Sequence, residues 1–351
     1  TSTLMKELYK NILTSVEKEH NQNIDRHKNS RVLIIDGLNT FIRCWTSIPT
    51  LNDNGDHVGA VTGVLRSIGY AIRQTQPSRV VVVFDGQGGS HKRKKIYKGY
   101  KANRAKSKLK INRAYNDLMN EEEERESMKR QYVWLADILD HLPLSFMMYD
   151  SVEADDVMAY ITTNILKEDE QAVLMSTDKD FLQLVDEKTI VWSPTKKKIY
   201  NQKLVQEELG LHPSNVLIYR ILDGDTSDNI PGVRGCGIKT LLKRFPELTE
   251  DRTISSDELL QLAEEKKGKI KLYDDIIKSK EQIIMNEKLM QLKDVDISGS
   301  IKMKIVEKFD EKVKPLNKME FMKVLLKYKV VNNMGDINDW LKTTFGNIVT
   351  D

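Results

Sequence analysis

The chain has 351 residues, 40% of them hydrophobic and 30% charged, enough for one large α/β domain with a smaller one appended, or for two domains. A net charge of +3 leaves composition silent on nucleic acid, so that case rests on how charge is distributed. Two distant cysteines, Cys44 and Cys236, and six scattered histidines exclude a disulfide framework and a zinc site, no apolar run approaches the roughly 20 residues of a membrane helix, and with no signal peptide opening the chain the expected location is the cytoplasm.

Leu4, Met5, Leu8, Tyr9, Ile12, Leu13 and Val16 form an apolar stripe at helical spacing, and a polar linker follows to Ser30. From there the pattern is short apolar runs that end near acids. Val32–Ile35 ends at Asp36, Val80–Phe84 at Asp85, Leu144–Tyr149 at Asp150, and Ala172–Met175 shortly before Asp178; Thr189–Trp192 is a fifth run. Helical patterns lie between them, over Val58–Gln74, Tyr132–Leu142 and Ala154–Leu166. Strands alternating with helices predict a mostly parallel central sheet with helices on both faces, and ligands bind such sheets beyond the carboxyl ends of the strands. Two stretches break the alternation. His91 to Arg113 carries eleven Lys or Arg and no acid, followed by the acidic block Glu121–Glu124; Leu222 to Thr240 is rich in Gly, Asp and turn signals. Beyond about Leu248 the chain reads as helical and highly charged, without visible chemistry.

The chemistry lies in acids at strand ends and helix starts: Asp36; Asp85; Glu153, Asp155 and Asp156; Asp178 and Asp180; Asp225 and Asp228. Gathered at one sheet edge, these carboxylates need cations to offset their repulsion, and hard divalent ions take oxygen ligands. Two such ions ~4 Å apart suit in-line phosphodiester hydrolysis. Where the strand end is extended, Asp178 and Asp180 point to one side. A single acid before a helix is more simply an N-cap or a partner of the helix dipole, and that, or plain exposure, is the reading of Asp150. Caps alone do not call for Glu-x-Asp-Asp, then Asp-x-Asp, then Asp-x-x-Asp.

At these residues the sequence resembles the flap endonucleases and 5′–3′ exonucleases, a family that includes the 5′ nuclease domain of bacterial DNA polymerase I and the ribonuclease H of T-even-type phages. The matching segments are Ile35–Asn39, Val83–Gly86, Glu153–Asp156, Ser176–Phe181 and Gly224–Val233, with Asn286–Leu289 also similar. The resemblance runs from about Arg31 to about Ile297. It implies a nuclease core over 31–200 with a helical arch at about 91–130, a helix–hairpin–helix DNA-binding subdomain over 201–300, a helical tail over 301–351 and a helical extension over 1–30. It implies a first metal position served by Asp36, Asp85, Glu153 and Asp155, and a second by Asp178, Asp180, Asp225 and Asp228, with Asp156 supporting one of them. The metals are expected to be Mg²⁺, with Mn²⁺ able to substitute.

His91–Arg104 is similar to the family's arch entrance. Its Lys and Arg would neutralise phosphates, and Tyr97 and Tyr100 would stack on unpaired bases. Lys101 and Arg104 are the residues expected to grip the scissile phosphate, with Arg93 as a further contact. A solvated basic loop is the plainer reading of such a run. The acidic block after it is a candidate for holding the arch off the sheet when DNA is absent. Gly232, Arg234, Gly235, Gly237, Lys239 and Thr240 read as a tight hairpin opening a helix, where backbone N–H groups meet phosphate; Lys243 supports them, and the family often binds K⁺ there. Cys236 reads as a packing residue.

The N-terminal helix either docks on the body or engages a replication partner such as a sliding clamp or single-strand-binding protein. The segment Asp339–Phe345 is either an anchor peptide or a packed final helix. The expected protein is a free-standing, monomeric, phage-type replication enzyme that leaves a 5′-phosphate and a 3′-hydroxyl on DNA flaps, nicked duplexes and RNA primers. Two rivals are a non-catalytic structure-specific DNA-binding module, which should have lost part of the acid set, and a single-strand ribonuclease with a toxin-like fold, which has no use for the arch or the hairpin.

Overall fold

The computed structural model describes residues 30–104 and 120–350. The N-terminal stripe, its linker as far as residue 29, and the later part of the basic run lie outside the described residues. Six strands, β1 (Arg31–Asp36), β2 (Arg79–Asp85), β3 (Ser145–Tyr149), β4 (Gln171–Met175), β5 (Thr189–Ser193) and β6 (Lys198–Tyr200), form one sheet in the order β3-β2-β1-β4-β5-β6. All neighbours pair in parallel except β5 and β6. The five apolar runs are the five parallel strands. The sixth strand is three residues long, and its pairing with β5 depends on a turn in which Lys197 takes a φ of +51°.

Successive strand residues face opposite sides, and both sides are buried. Leu33, Ile35, Val80, Val82, Val173 and Met175 join one core with α1 (Gly37–Ser47), α2 (Gly59–Thr75) and α4 (Glu121–Leu139). Val32, Ile34, Val81, Val83 and Leu174 join the other with α5 (Ala154–Tyr160), which continues as a π turn to Ile165. That second core extends through α6 (Gln202–Leu209), α7 (Val216–Asp223), α8 (Ile238–Arg244), α9 (Ser256–Glu265), α10 (Lys271–Lys278), α11 (Lys280–Met290) and α12 (Gly299–Asp310). Double burial is why the strands read as continuous apolar runs rather than alternating ones.

The last two main helices, α13 (Lys318–Lys327) and α14 (Ile337–Phe345), return to the first face. Trp340, Leu341 and Phe345 are buried there, and a Cβ on Gly69 of α2 would stand 2.5 Å from the Trp340 indole nitrogen. Of the two readings of Asp339–Phe345, the structure gives the packed final helix. Among the described residues no helix is long and apolar enough to cross a membrane.

The acidic block has a local role in the fold. Glu121–Glu124 is the first turn of α4, with Asn120 and Glu123 forming a reciprocal capping box, so its charge complements the helix dipole. The helix therefore starts eleven residues before the apolar pattern at Tyr132 suggests. A short helix, α3 (His91–Ile96), opens the basic segment.

Candidate active site

In this sheet the chain turns back between β1 and β4: β2 and β3 lie to one side of β1, and β4 to β6 to the other. A crevice forms outside the strand ends at such a switch point. Asp36 at the end of β1 and Asp178 just past β4 meet there. Asn39 pins the junction, its carboxamide exchanging hydrogen bonds with Thr177 at 2.7 and 3.2 Å. The cleft of about 880 Å³ is lined by Asp36, Asp85, Asp155, Asp178, Asp225 and Asp228, and by Lys101, Arg104 and Arg220.

Some of these acids are helix caps as well. Asp36 Oδ1 accepts from Asn39 N at 3.0 Å and caps α1, while its other oxygen accepts from the Ser176 hydroxyl at 2.9 Å. Asp85 accepts from Ala154 N at 2.5 Å at the start of α5. Asp178 accepts from Asp180 N at 2.8 Å. The segment Lys179–Leu184 is a 3₁₀ turn, not the extended strand end expected; the turn still brings Asp178 and Asp180 to one place. One oxygen each of Asp178, Asp180 and Asp225 lies within 4.8 Å of the other two.

The electrostatics divide these acids into two groups. Burial pushes the carboxyls of Asp36 and Asp180 up to about 7, helped by neighbouring aspartates. Asp85, Asp155 and Asp178 are also raised, again chiefly by burial; Asp155 is further raised by the charges of Asp178 and Asp36. Glu153 goes the other way. Burial would raise it, but Lys101 and Arg93 outweigh that and hold it below the usual range. Asp225 is likewise lowered, since hydrogen bonds from Ser227 and the charge of Arg220 overcome its burial. Glu153 and Asp225 stay ionised because their donors and cations outweigh burial, whereas for Asp36, Asp85, Asp155, Asp178 and Asp180 burial and neighbouring acids prevail, at Asp180 even against Arg220. An all-oxygen donor set with uncompensated charge has the composition of a divalent-cation site.

The expected site residues separate accordingly. Asp36, Asp85, Asp155, Asp178, Asp225 and Asp228 face the cleft together, and Asp180 reaches the same cluster. Glu153 is 2% exposed and ion-paired with both Arg93 and Lys101. Asp156 receives two nitrogens of Arg93 at 2.7 and 2.8 Å. Arg93, expected on the phosphate, also donates to Glu153 at 2.6 Å and to the Leu289 carbonyl at 2.8 Å. Those bonds join α3 to α5 and α11, and its side chain is only 11% exposed. Lys101 and Arg104 do line the cleft, paired with Glu153 and Asp228 respectively, and the Arg104 side chain is half-exposed.

Tyr100 is not free to stack on a base. It is buried against Ile230, Leu289 and Met290, and its hydroxyl donates to Glu153 at 3.1 Å. Tyr97 is half-buried against the same cluster. The described part of the basic segment is thereby clipped to the acidic loop. Lys101 N donates to the Asp228 carbonyl at 2.8 Å, Asn103 Nδ2 to the Thr226 carbonyl at 2.8 Å, and Asn229 Nδ2 to the Gly99 carbonyl at 2.7 Å. Lys101 and Asn229 both adopt positive φ, +55° and +58°, a cost that these surrounding bonds offset.

In the hairpin, Arg234, Gly235, Gly237, Lys239, Thr240 and Lys243 are exposed, and Cys236 is buried. Gly232 has a packing role: a Cβ there would stand 2.1 Å from the Asp223 carbonyl oxygen, so glycine lets the chain close beneath the Asp225 loop. Asp150 is exposed and accepts from Gln87 N at 3.2 Å, outside the cleft.

Sequence reasoning missed Arg220. It lies on α7, and its guanidinium donates to Asp180 at 2.7 Å and to Asp225 at 2.6 Å. One signal was present: a lone cation on the otherwise apolar helix Val216–Leu222.

The family model for the 5′–3′ exonuclease N-terminal resolvase-like domain matches residues 31–210. The chain belongs to the 5′–3′ exonuclease family. It is a 5′ nuclease, with its acidic cleft at the carboxyl edge of the matched sheet. The 5′–3′ exonuclease of Aquifex aeolicus is 31% identical over 216 residues, covering 60% of this chain and 68% of that protein. The 5′–3′ exonuclease of Buchnera aphidicola from Acyrthosiphon pisum is 29% identical over 293 residues, 81% of this chain and 94% of that one. The fold is similar to that of the T5 D15 protein co-crystallized with metal ions, at 19% identity and a TM-score of 0.57, over 89% of this chain and 99% of that chain.

Proposed function

We propose that the chain is a structure-specific, divalent-metal-dependent nuclease that cuts DNA flaps, nicked duplexes and RNA primers near a free 5′ end during replication. The observation that carries this is the meeting of carboxylates from five stretches of chain in one cleft that Lys101 and Arg104 of the basic segment also line. Asp36, Asp85 and Asp155 would hold one cation, and Asp178, Asp180 and Asp225 a second, with Asp228 at the rim. Mg²⁺ is the physiological ion in this reading, and Mn²⁺ substitutes. Bound there, the ions would supply a water-derived nucleophile and neutralise charge on the attacking and leaving oxygens.

The protein's own groups do the rest. Lys101 and Arg104 stand at the mouth, where a phosphate would exchange one carboxylate partner for another, and fixed cations there favour a transition state richer in charge than the substrate. Glu153 keeps Lys101 in place while the cleft is empty of DNA. The exposed Arg234, Lys239 and Lys243 of the hairpin would grip duplex through its backbone without reading sequence, with K⁺ a candidate ion for its carbonyls. A monomer acting in the cytoplasm, served by a clamp or single-strand-binding protein, completes the proposal.

The test is digestion of a 5′-flap substrate labelled at each end in turn, in Mg²⁺ and in EDTA. Products released from the 5′-labelled end in Mg²⁺ only, carrying 5′-phosphate on the downstream fragment, are expected. Cleavage in EDTA, or cleavage starting only at the 3′ end, contradicts the reading.

A further inference from the structure

Arg220 has an unusual position for a cation in a metal-dependent cleft. Its side chain is 7% exposed, so it is not a rim residue that approaches the acids by chance. Nε donates to Asp180 Oδ1 at 2.7 Å, Nη2 to Asp225 Oδ2 at 2.6 Å, and Nη1 lies 3.8 Å from Asp223. The guanidinium therefore bridges two of the three carboxylates whose oxygens converge within 4.8 Å. Its backbone has little freedom to shift. Ile218, Ile221 and Leu222 on either side are buried in the main core, and Asn286 Nδ2 donates to the Ile221 carbonyl at 2.9 Å. The remaining oxygen of Asp225 is taken by Ser227 N and the Ser227 hydroxyl at 2.7 and 2.6 Å. Any cation that takes an Asp225 oxygen competes with one of these donors.

We propose that Arg220 is a built-in counter-ion of the second carboxylate cluster. It holds Asp180 and Asp225 together when no metal is bound, and it weakens the hold of a divalent cation there, so that this ion exchanges readily. The inference rests on the proposed reading of the cluster as a cation site. With all three acids ionised, as they would be around a metal, one guanidinium against Asp178, Asp180 and Asp225 leaves two negative charges, the amount a single divalent ion neutralises. Without it, three partly buried carboxylates face one another with no cation, which costs the metal-free fold, and a metal entering that site meets more negative charge. Arg suits this place better than Lys because its planar fork reaches two carboxylates at once.

The experiment is calorimetric titration of the full chain with Mn²⁺, for the natural protein, Arg220→Gln and Arg220→Lys, together with melting curves in EDTA. The expected result is that Arg220→Gln melts lower in EDTA yet tightens the weaker Mn²⁺-binding step at least tenfold. Arg220→Lys, which keeps the charge, should stay within a few-fold of the natural protein. Unchanged or weaker Mn²⁺ binding in Arg220→Gln overturns the proposal, as does equal tightening in Arg220→Lys. A natural protein that binds no Mn²⁺ at all sinks the reading of the site itself, a different failure. Should Arg220→Gln not fold, the arginine Nε–H resonance of Arg220 in the natural protein decides: it is expected to shift on adding Mg²⁺, and a signal unmoved at saturation overturns the proposal.

Discussion

Replacing Asp36 by Asn should stabilise the metal-free protein while abolishing cleavage. The substitution keeps the shape: Oδ1 can still accept from Asn39 N, and the new amide can donate to the Ser176 oxygen where the carboxylate accepted from it. Only the charge is lost. Burial raises this carboxyl from 3.8 to about 7 in the folded chain. A raised carboxyl makes the native state bind more protons than the unfolded one, so stability falls as pH rises from about 4 to about 7 and is level above that. At about 1.4 kcal/mol per pH unit, the cost at pH 8 is on the order of 4 kcal/mol, roughly 3 of it accumulated above pH 5. With an unfolding entropy of roughly 2.1 cal/mol/K per residue, that corresponds to about 5 °C in Tm. The assay is thermal melting of both proteins in EDTA at pH 5 and pH 8, repeated with Mg²⁺. Asp36→Asn should melt higher at pH 8, by clearly less at pH 5, and should gain less than the natural protein from Mg²⁺. A variant that melts lower at pH 8 in EDTA, or gains equally at both pH values, refutes the reasoning.

Other substitutions separate the roles assigned around the cleft. Arg104→Ala removes a half-exposed cation and should lower flap cleavage by about 10²-fold, of the order seen when one transition-state donor is lost, with melting unchanged; a full-rate enzyme would exclude it from phosphate contact. Arg93→Ala leaves Asp156 without its cation and Glu153 with Lys101 alone and should destabilise by roughly 3 kcal/mol, measured by denaturant unfolding, whereas a direct phosphate contact predicts lost cleavage at unchanged stability. Gly232→Ala forces the loop off the Asp223 carbonyl and should weaken Mn²⁺ binding along with cleavage; retention of both would show that the loop yields without moving Asp225.

Much of this was legible in the chain because both levels of pattern agreed. Val32–Ile35 and Val80–Phe84 are apolar at every position since both faces of the sheet are covered, and the acids that follow them could only gather at one edge. What escaped notice depended on contacts distant in sequence. Arg220 and Asp180 are partners forty positions apart. Tyr100 looked like a stacking platform because its burial comes from Ile230, Leu289 and Met290, far along the chain. Arg93 looked like a phosphate ligand because a basic run gives no sign of which member turns inward. The start of α4 was hidden because its first eleven residues, about three turns, are largely polar and charged, so apolar periodicity begins only later, although Asn120 and Glu123 carry a capping-box pattern.

The central claim is that carboxylates from separate stretches share divalent cations in one cleft. Anomalous X-ray diffraction from crystals soaked in Mn²⁺ tests it most directly. Peaks are expected within coordination distance of Asp36, Asp85 and Asp155 and of Asp178, Asp180 and Asp225, and should vanish with EDTA. Manganese found only on the outer surface, with the cleft lacking any peak at saturating concentration, would contradict it.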